Sequence, residues 1–227
     1  MQPHSIGYWS LVFRRKKSNC GIYVEGRHLT RRMDWPVTQA YIQAFAEAEK
    51  VPIRISRRIN GFFGELYRMG ASFPVEYEYN GSFKQCPLTP PQIESERLRA
   101  FSFHALTLDE KETLKQFGHR MKFPAKSAYL SRRWCSAYLK ISVADSVIRN
   151  LEQIKADKKI LLVSGERRGE SVGRSGYNEM ECHRTNATAK AHRLVHHWRA
   201  VIDYSLRDVW ELIKRNNLTP HPCYTCG

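Results

Sequence analysis

The stretch ILLVSGERRGESVGR, residues 160–174, decides which fold this sequence predicts. It begins with an unbroken apolar run over residues 160–163, which is typical of a strand buried on both faces. Polar and charged residues follow as soon as Gly165 ends the run. In open α/β sheets, ligands bind outside the carboxyl ends of the strands. The stretch therefore predicts an interior strand of a mostly parallel sheet, with a binding loop directly after it.

The loop after this strand combines a glycine with arginines, a glutamate and a serine. A glycine allows a sharp turn or a close approach of the backbone to a ligand. Arginines are planar, permanently charged donors that suit phosphate or sulfate oxygens. The pattern indicates either an anion-binding loop or a charged loop that is held together by its own ion pairs. The candidate residues are Gly165, Arg167, Arg168, Glu170, Ser171 and Arg174.

Apolar residues at three- and four-residue steps predict helices before and after this strand, the alternation of an α/β fold. A first helix follows Asp34, and a capping box at Thr107 and Glu110 begins another. A last helix begins at Ser205, with Asp208 at its third position. The stripes expected to face the core are Val37, Ala40, Tyr41, Ala44, Phe45 and Ala48; Ala144, Val147, Ile148, Leu151 and Ile154; and Leu206, Val209, Trp210 and Ile213.

The composition predicts one folded domain without a membrane span. The chain has 227 residues, of which 42% are apolar and 26% charged, and no apolar run reaches eighteen residues. Its first residues lack the order of a secretory signal, so we expect a cytoplasmic protein. The formal net charge is +15, which favours polyanionic partners such as nucleotides, DNA or RNA, or else a solvated basic face.

The order of residues in the loop resembles a family signature. The phosphoadenosine phosphosulfate (PAPS) reductase family has the pattern Gly-x-Arg-x-x-Glu-Ser-x-x-Arg after a core strand, and residues 165–174 match every fixed position of it. Three further elements resemble the family in the same order along the chain. They are WPVTQAY (35–41) with PI (52–53), WCSAYLK (134–140), and IDYS (202–205) with DVW (208–210).

The resemblance implies a Rossmann-like adenine nucleotide alpha-hydrolase fold, with a mostly parallel sheet flanked by helices, in a single domain over residues 1–227. Family members bind an adenine nucleotide, ATP or PAPS, and either reduce the activated sulfate or activate a substrate for sulfur transfer. By this resemblance Arg167 and Arg174 would hold the anionic end of the ligand, and Lys140 would add a point charge. Glu170 and Ser171 would support the arginines.

Two motifs of the family are absent from this sequence. It has neither the phosphate loop Ser-Gly-Gly-x-Asp-Ser nor the cysteine tail Glu-Cys-Gly-x-His. We therefore expect a domain that lacks the family's N-terminal phosphate-loop unit and C-terminal tail, as a piece of a longer protein or as a degenerate member. The alternative function is a catalytically inactive nucleic-acid-binding or accessory module that has kept the fold.

The cysteines suggest a different chemistry. The chain has six, and Cys223 and Cys226 alone have the spacing of a ligand pair. Some members of the resembled family hold an iron–sulfur cluster, which implies Cys135, Cys223 and Cys226 as neighbouring ligands of a 4Fe–4S cluster. A zinc or redox pair at Cys223 and Cys226, or free thiols, are the alternatives. Cys182 and His183, together with the histidines at 192, 196 and 197, fit no ligand set by their spacing, and residues 196–197 are expected in a helix.

Overall fold

The computed structural model describes residues 10–13, 21–25, 37–125, 127, 129, 131–150 and 159–224. The strands, in chain order, are β1 (Ser10–Phe13), β2 (Gly21–Glu25), β3 (Ile53–Arg58), β4 (Val75–Tyr79), β5 (Ser82–Gln85), β6 (Lys159–Ser164), β7 (Met180–Cys182) and β8 (Leu194–Arg199). The α-helices are α1 (Val37–Ala48), α2 (Gly61–Leu66), α3 (Pro90–Arg99), α4 (Leu108–Gln116), α5 (Trp134–Ser136), α6 (Ser142–Asn150), α7 (Val172–Ser175), α8 (Thr188–Ala191) and α9 (Leu206–Arg215).

The chain divides into two compact units. The central unit contains the described residues between 55 and 150, and the terminal unit contains those before residue 55 and after residue 158. Strands β3, β4 and β5 form an antiparallel sheet, with β5 joined to β4 by a tight turn at Asn80 and Gly81. Both turn residues have positive φ, which is the conformation that an Asn-Gly hairpin favours.

The core of the central unit is aromatic. Phe62 and Leu66 of α2 pack with Trp134 and with Leu139, which lies in the π-helical stretch Ala137–Ile141. The Phe62 and Trp134 rings stack with their centroids 4.9 Å apart. A second cluster joins α3 to α4 through Leu98 and its neighbours. The first cluster joins elements that are distant in sequence, whereas the second joins two consecutive α-helices.

The terminal unit has a mixed sheet in the strand order β2-β1-β6-β8-β7. Strand β6 lies between β1, which is antiparallel to it, and β8, which is parallel. Its residues 162–164 are buried. The predicted interior strand over residues 160–163 is therefore confirmed.

The predicted mostly parallel, Rossmann-like sheet is wrong. One sheet is entirely antiparallel, and β6 with β8 is the one parallel pair described in the other. A parallel pair needs a crossover of a dozen or more residues, whereas short connections leave successive strands antiparallel. The link from β1 to β2 spans residues 14–20, and the link from β4 to β5 is the two-residue turn.

The described helices occur where the pattern predicts them, but two of them bury other residues than expected. In α6, Val147 and Ile148 are buried as predicted, whereas Leu151 and Ile154 of the same stripe lie outside the described residues. The capping boxes at Thr107 and Ser205 are both present, so those helix starts are confirmed. In α1 the buried residues are Thr38, Ile42 and Ala46, beside the predicted stripe rather than on it. In α9 no residue is buried, so the predicted buried face of Leu206, Val209, Trp210 and Ile213 is wrong.

Candidate functional site

The predicted binding loop, residues 165–174, lies at the carboxyl end of the parallel β6–β8 pair and is called the arginine loop below. Its backbone is fixed to the chain beyond β8, because the Arg168 amide donates to the carbonyl of Ile202 at 2.8 Å. Ile202 is buried. The loop is therefore held at the strand end rather than projecting away from it.

Arg167 and Arg174 share one carboxylate. Arg174 Nη1 lies 3.0 Å from Glu170 Oε2, within hydrogen-bond distance, whereas Arg167 Nε lies 3.6 Å from Glu170 Oε1. Burial raises the pKa of Glu170, and the Glu166 carboxylate adds to this while Arg167 opposes it. The arrangement fixes Arg174 firmly and Arg167 loosely, so Arg167 is the arginine that can turn towards an incoming anion at little cost.

Arg168 has a supporting position in this structure. Its Nε donates to Asp203 Oδ1 at 2.5 Å, and its Nη1 donates to the carbonyls of Ser175 and Tyr177. The side chain thus ties the end of α7 to the chain after β8. Its described contacts are therefore with the protein itself, which is a structural role.

A second ion-pair network lies behind the loop. Arg199, the last residue of β8, is buried and donates to Glu166 at 2.8 Å and to Glu181 at 2.6 Å. Its guanidinium also lies over the Tyr177 ring, 4.6 Å from the centroid. The sequence analysis missed Arg199, because residues 194–199 were not recognised as a strand. Buried and half-buried residues alternate along β8, but its sequence LVHHWR does not alternate between apolar and polar residues, so no periodic signal marks this strand in the sequence.

The glycines of the loop face open space. A side chain added at Gly165, Gly169, Gly173 or Gly176 would meet nothing within 4 Å. None of the four has a positive φ. The sharp turn predicted at Gly165 is therefore not what requires a glycine there. These glycines leave the backbone bare on the outer side of the loop, where a ligand could approach it closely.

The chain after α9 returns to the arginine loop. The Tyr224 ring meets the Trp210 ring at 5.1 Å, edge to face. Burial raises the pKa of Tyr224, Cys223 and Glu170 add to this, and Arg167 opposes it. His221 fixes this segment from the other side, because its Nε2 lies 3.1 Å from Thr38 Oγ1 of α1. Tyr224 lies near enough to Arg167 and Glu170 for their charges to act on its hydroxyl.

The other residues considered in the sequence analysis lie in different parts of the structure. Ser171 is exposed at the start of α7, where its carbonyl accepts from the Arg174 amide at 2.9 Å. Lys140 belongs to the π-helical stretch of the central unit, so its predicted convergence with Arg167 and Arg174 stays a prediction. Residues 196–197, expected in a helix, lie in β8 instead.

The cysteine hypothesis rests on residues in different parts of the chain. Cys135 lies in the central unit and Cys223 in the terminal unit, while Cys226 lies outside the described residues. Within the described ranges no group of three or more His, Cys, Asp or Glu side chains could hold a metal ion. The described residues alone therefore do not supply a cluster site.

Comparison with known proteins does not assign the chain to a family. No family model matches it, and no match is found among the curated proteins or among the solved structures. Within the described part of the chain, no helix has the length and apolar character needed to cross a membrane. The comparisons therefore indicate no function, and the arginine loop is the candidate site that the structure offers.

Proposed function

We propose that this chain binds an adenine nucleotide, ATP or PAPS, by its phosphate or sulfate groups at the arginine loop, and that it serves sulfur chemistry of the PAPS reductase type. The observation that supports this most is the pair Arg167 and Arg174 on a single carboxylate, Glu170, at the carboxyl end of β6. The same residues occupy the fixed positions of the signature that the sequence resembles. The contacts support an oxyanion at the loop, and the resemblance is what suggests that this oxyanion belongs to an adenine nucleotide.

The geometry favours a multiply charged oxyanion. Two guanidiniums present planar sets of donors, and the glycines at 165, 169 and 173 leave backbone exposed beside them. Cations that are held in place before the ligand arrives also stabilise negative charge that develops on a leaving group. This is the role the proposal gives to Arg167 and Arg174, in sulfate reduction or in ATP-dependent sulfur transfer.

Calorimetric titration tests the binding step. Sulfate, ATP and PAPS are titrated separately into the wild-type chain, Arg167→Ala and Arg167→Lys. Removing a charged hydrogen-bond donor costs about 1.5–3 kcal/mol, so we expect Arg167→Ala to weaken binding about tenfold to a hundredfold, and Arg167→Lys to restore part of it. Arg207→Ala is the matched control, because Arg207 is an exposed arginine of α9 paired with Glu211 at 2.8 Å.

Product analysis tests the reaction. Sulfite released from PAPS in the presence of an external dithiol indicates sulfate reduction, whereas AMP and pyrophosphate formed from ATP indicate activation for sulfur transfer. Unchanged affinity in Arg167→Ala, or an equal loss in Arg207→Ala, contradicts the assigned site. Binding without either reaction retains the site but refutes the enzymatic part.

The thiols are tested separately. The 4Fe–4S hypothesis expects iron and sulfide in an anaerobically purified protein and their loss in Cys135→Ser and Cys223→Ser. A protein that contains neither element refutes it. Zinc lost on substitution of Cys223, but not of Cys135, instead supports the Cys-x-x-Cys pair.

The second candidate is a catalytically inactive nucleic-acid-binding or accessory module, and the net charge of +15 is the observation that favours it. Such a module binds oligonucleotides with a steep salt dependence and leaves ATP and PAPS unchanged. The product analysis with PAPS and ATP therefore separates the two functions.

A further inference from the structure

A long segment of the central unit has no acidic residue. From Thr113 to Ala144 the sequence contains neither Asp nor Glu. In that span the basic residues are Lys115, Arg120, Lys122, Lys126, Arg132, Arg133 and Lys140. The two flanking acids are Glu112 and Asp145. An uninterrupted positive segment of this kind suits a polyanion.

Aromatic rings are exposed in the same segment. Phe123 is 65% exposed and Tyr129 is 71% exposed, and Lys122 and Arg132 close to them in sequence are exposed too. Tyr67, which follows α2, is 60% exposed. Exposure of single apolar residues is common, but aromatic and basic side chains alternating on one loop are not explained by solubility. We call residues 119–133, without the undescribed 126, 128 and 130, the aromatic–basic loop.

The aromatic–basic loop is anchored at several points. The Met121 amide donates to the Leu66 carbonyl at 2.8 Å, and Trp134 Nε1 donates to the Lys122 carbonyl at 2.9 Å. Further along, the Ala125 amide donates to the Arg132 carbonyl at 3.1 Å. Because the backbone is already fixed, a ligand that uses the exposed side chains meets a smaller cost of ordering.

Two of the exposed rings, Phe123 and Tyr67, are also connected to the core. The Phe123 ring contacts the buried Phe62 ring with their centroids 5.7 Å apart, and Phe62 in turn stacks on Trp134. The Phe62 ring also meets the Phe63 ring edge to face at 5.6 Å, and the Phe63 ring lies parallel to the Tyr67 ring at 6.1 Å. Outer rings supported by inner ones present flat, rigid faces, which is what base stacking requires.

The acid that contacts Arg120 of this segment is shielded from solvent. Glu65 is fully buried and accepts from Arg120 Nη2 at 2.9 Å and from Arg68 Nε at 2.7 Å. Its charge is therefore neutralised inside the unit. Lys122 and Arg132 provide the exposed positive charge beside the rings.

From these observations we infer that the aromatic–basic loop, together with Tyr67, binds single-stranded nucleic acid. Bases would stack on Phe123 and Tyr129, and Lys122 and Arg132 would contact the phosphates. Exposed rings favour a single strand over a duplex, because the bases of a duplex are already stacked on one another. The inference goes beyond the nucleotide chemistry proposed for the arginine loop and does not rest on it.

Fluorescence anisotropy with labelled oligothymidylate and oligouridylate of about 12 nucleotides, and a duplex of the same length, tests this inference. We expect the single strands to bind more tightly than the duplex. Phe123→Ala and Tyr129→Ala should each weaken binding about fivefold to tenfold. The double variant Lys122→Ala/Arg132→Ala should weaken it too and reduce the slope of log affinity against log salt by about 1.4.

The central unit supplies matched controls. Phe83 on β5 is exposed as well, but the Arg57 guanidinium already covers its ring at 4.4 Å and Glu78 lies directly opposite it on β4, so Phe83→Ala should bind the oligonucleotides like the wild type. Arg97, an exposed arginine paired with Glu94 at 2.7 Å, controls for the loss of positive charge as Arg97→Ala. Phe123→Trp preserves a stacking ring and should retain affinity, and urea midpoints verify that each variant is folded.

Three results would overturn the inference. The first is wild-type affinity in Phe123→Ala and Tyr129→Ala, and the second is an equal loss in Phe83→Ala. The third is no binding of either single strand at about 50 mM salt, which would leave the exposed rings to a protein partner. Arg167→Ala should bind the oligonucleotides normally, so failure here and failure of the proposed function at the arginine loop are distinguishable.

Discussion

Ser164 Oγ lies 2.8 Å from His197 Nε2, and this contact joins the last residue of β6 to β8 one residue before the arginine loop. Both side chains are buried, and the His183 ring meets the His197 ring edge to face at 5.7 Å. Burial lowers the pKa of His197 to about 4, and the positive charge of Arg199 and the neighbouring His183 contribute to this. The imidazole is therefore neutral at neutral pH and can accept the hydroxyl hydrogen of Ser164.

This pair predicts a loss of stability in mild acid. The unfolded chain protonates His197 near pH 6.5 and the folded chain near pH 4, so between these values the unfolded state binds more protons. The free energy of unfolding is then unaffected by this group above about pH 7 and falls as the pH drops from about 6.5 to about 4. Between pH 7.5 and pH 5, we expect the free energy of unfolding of His197→Gln to fall by about 1–2 kcal/mol less than that of the wild type.

Urea unfolding at the two pH values measures this difference. His197→Gln is less stable than the wild type at pH 7.5 for packing reasons, so the informative quantity is the change with pH in each protein. Parallel pH dependences would show that His197 is not the group that titrates. Ser164→Ala should leave the pH dependence in place, since the burial that lowers the pKa of His197 remains.

Glu170 predicts a pH dependence of anion binding. Burial raises the pKa of this carboxyl, so it becomes neutral at a higher pH than an exposed glutamate does. Once it is neutral, the positive charges of Arg167 and Arg174 are less opposed. We expect sulfate, which stays doubly charged throughout, to bind more tightly as the pH falls from about 7.5 to about 5. Glu170→Gln should bind sulfate with little dependence on pH, and a wild-type dependence in this variant would contradict the prediction.

Substitution of the loop glycines should lower the affinity for sulfate without lowering the free energy of unfolding. A side chain added at Gly169 or Gly173 meets no protein atom within 4 Å, so Gly169→Ala and Gly173→Ala should change the free energy of unfolding by less than about 0.5 kcal/mol or stabilise slightly. If the bare backbone contacts the ligand, the same variants should lower sulfate affinity about fivefold or more. Titration calorimetry and urea unfolding measure the two quantities independently.

Gly70 is the matched control for the glycine series. Its φ is +86°, and an added Cβ would lie 2.8 Å from Leu114 and from Ser95. Gly70→Ala should therefore lower the free energy of unfolding by more than about 1 kcal/mol. Under conditions in which Gly70→Ala is folded, it should bind sulfate with wild-type affinity. Equal stability of Gly70→Ala and Gly173→Ala would refute the structural distinction.

The elements that the sequence predicts correctly depend on local signals. The apolar run at 160–163 is short, continuous and ended by Gly165, and the capping boxes at Thr107 and Ser205 lie within a single turn. Such signals need no knowledge of the rest of the chain, since the strand and the helix starts are specified by adjacent residues. The position of the arginine loop follows from them directly.

The wrong predictions concern features that depend on distant partners. Strand direction is set by which strands pair, and the antiparallel neighbour β1 of β6 lies about 150 positions away in the sequence. The buried face of α1 is different: its partners Val51 and Ile53 are close in sequence, and the helical period did not show that Ile42 faces them. Arg199 was missed because residues 194–199 were not recognised as a strand, and its two carboxylate partners come from other segments.

The last prediction concerns Glu65, the buried acid that holds two arginines of the central unit. Its Oε1 accepts from Arg68 and Arg120, and its Oε2 has no hydrogen-bond partner among the described residues. Removing the charge leaves two guanidiniums without their counter-charge in a buried site, so we expect Glu65→Gln to lower the free energy of unfolding by about 3 kcal/mol. Glu112→Gln, on the exposed pair with Lys115, should lower it by less than about 0.5 kcal/mol.

Urea unfolding of both variants and of the double variant Glu65→Gln/Arg120→Met decides whether the charge or the packing is responsible. Arg120 also lies over the Trp134 and Tyr138 rings, at 4.7 Å and 4.6 Å, so an apolar side chain of similar length can keep part of that contact. If uncompensated charge is the cause, the double variant regains stability relative to Glu65→Gln, because one of the two unpaired guanidiniums is gone. A double variant that is less stable than Glu65→Gln would instead show that Arg120 stabilises the unit mainly through the rings.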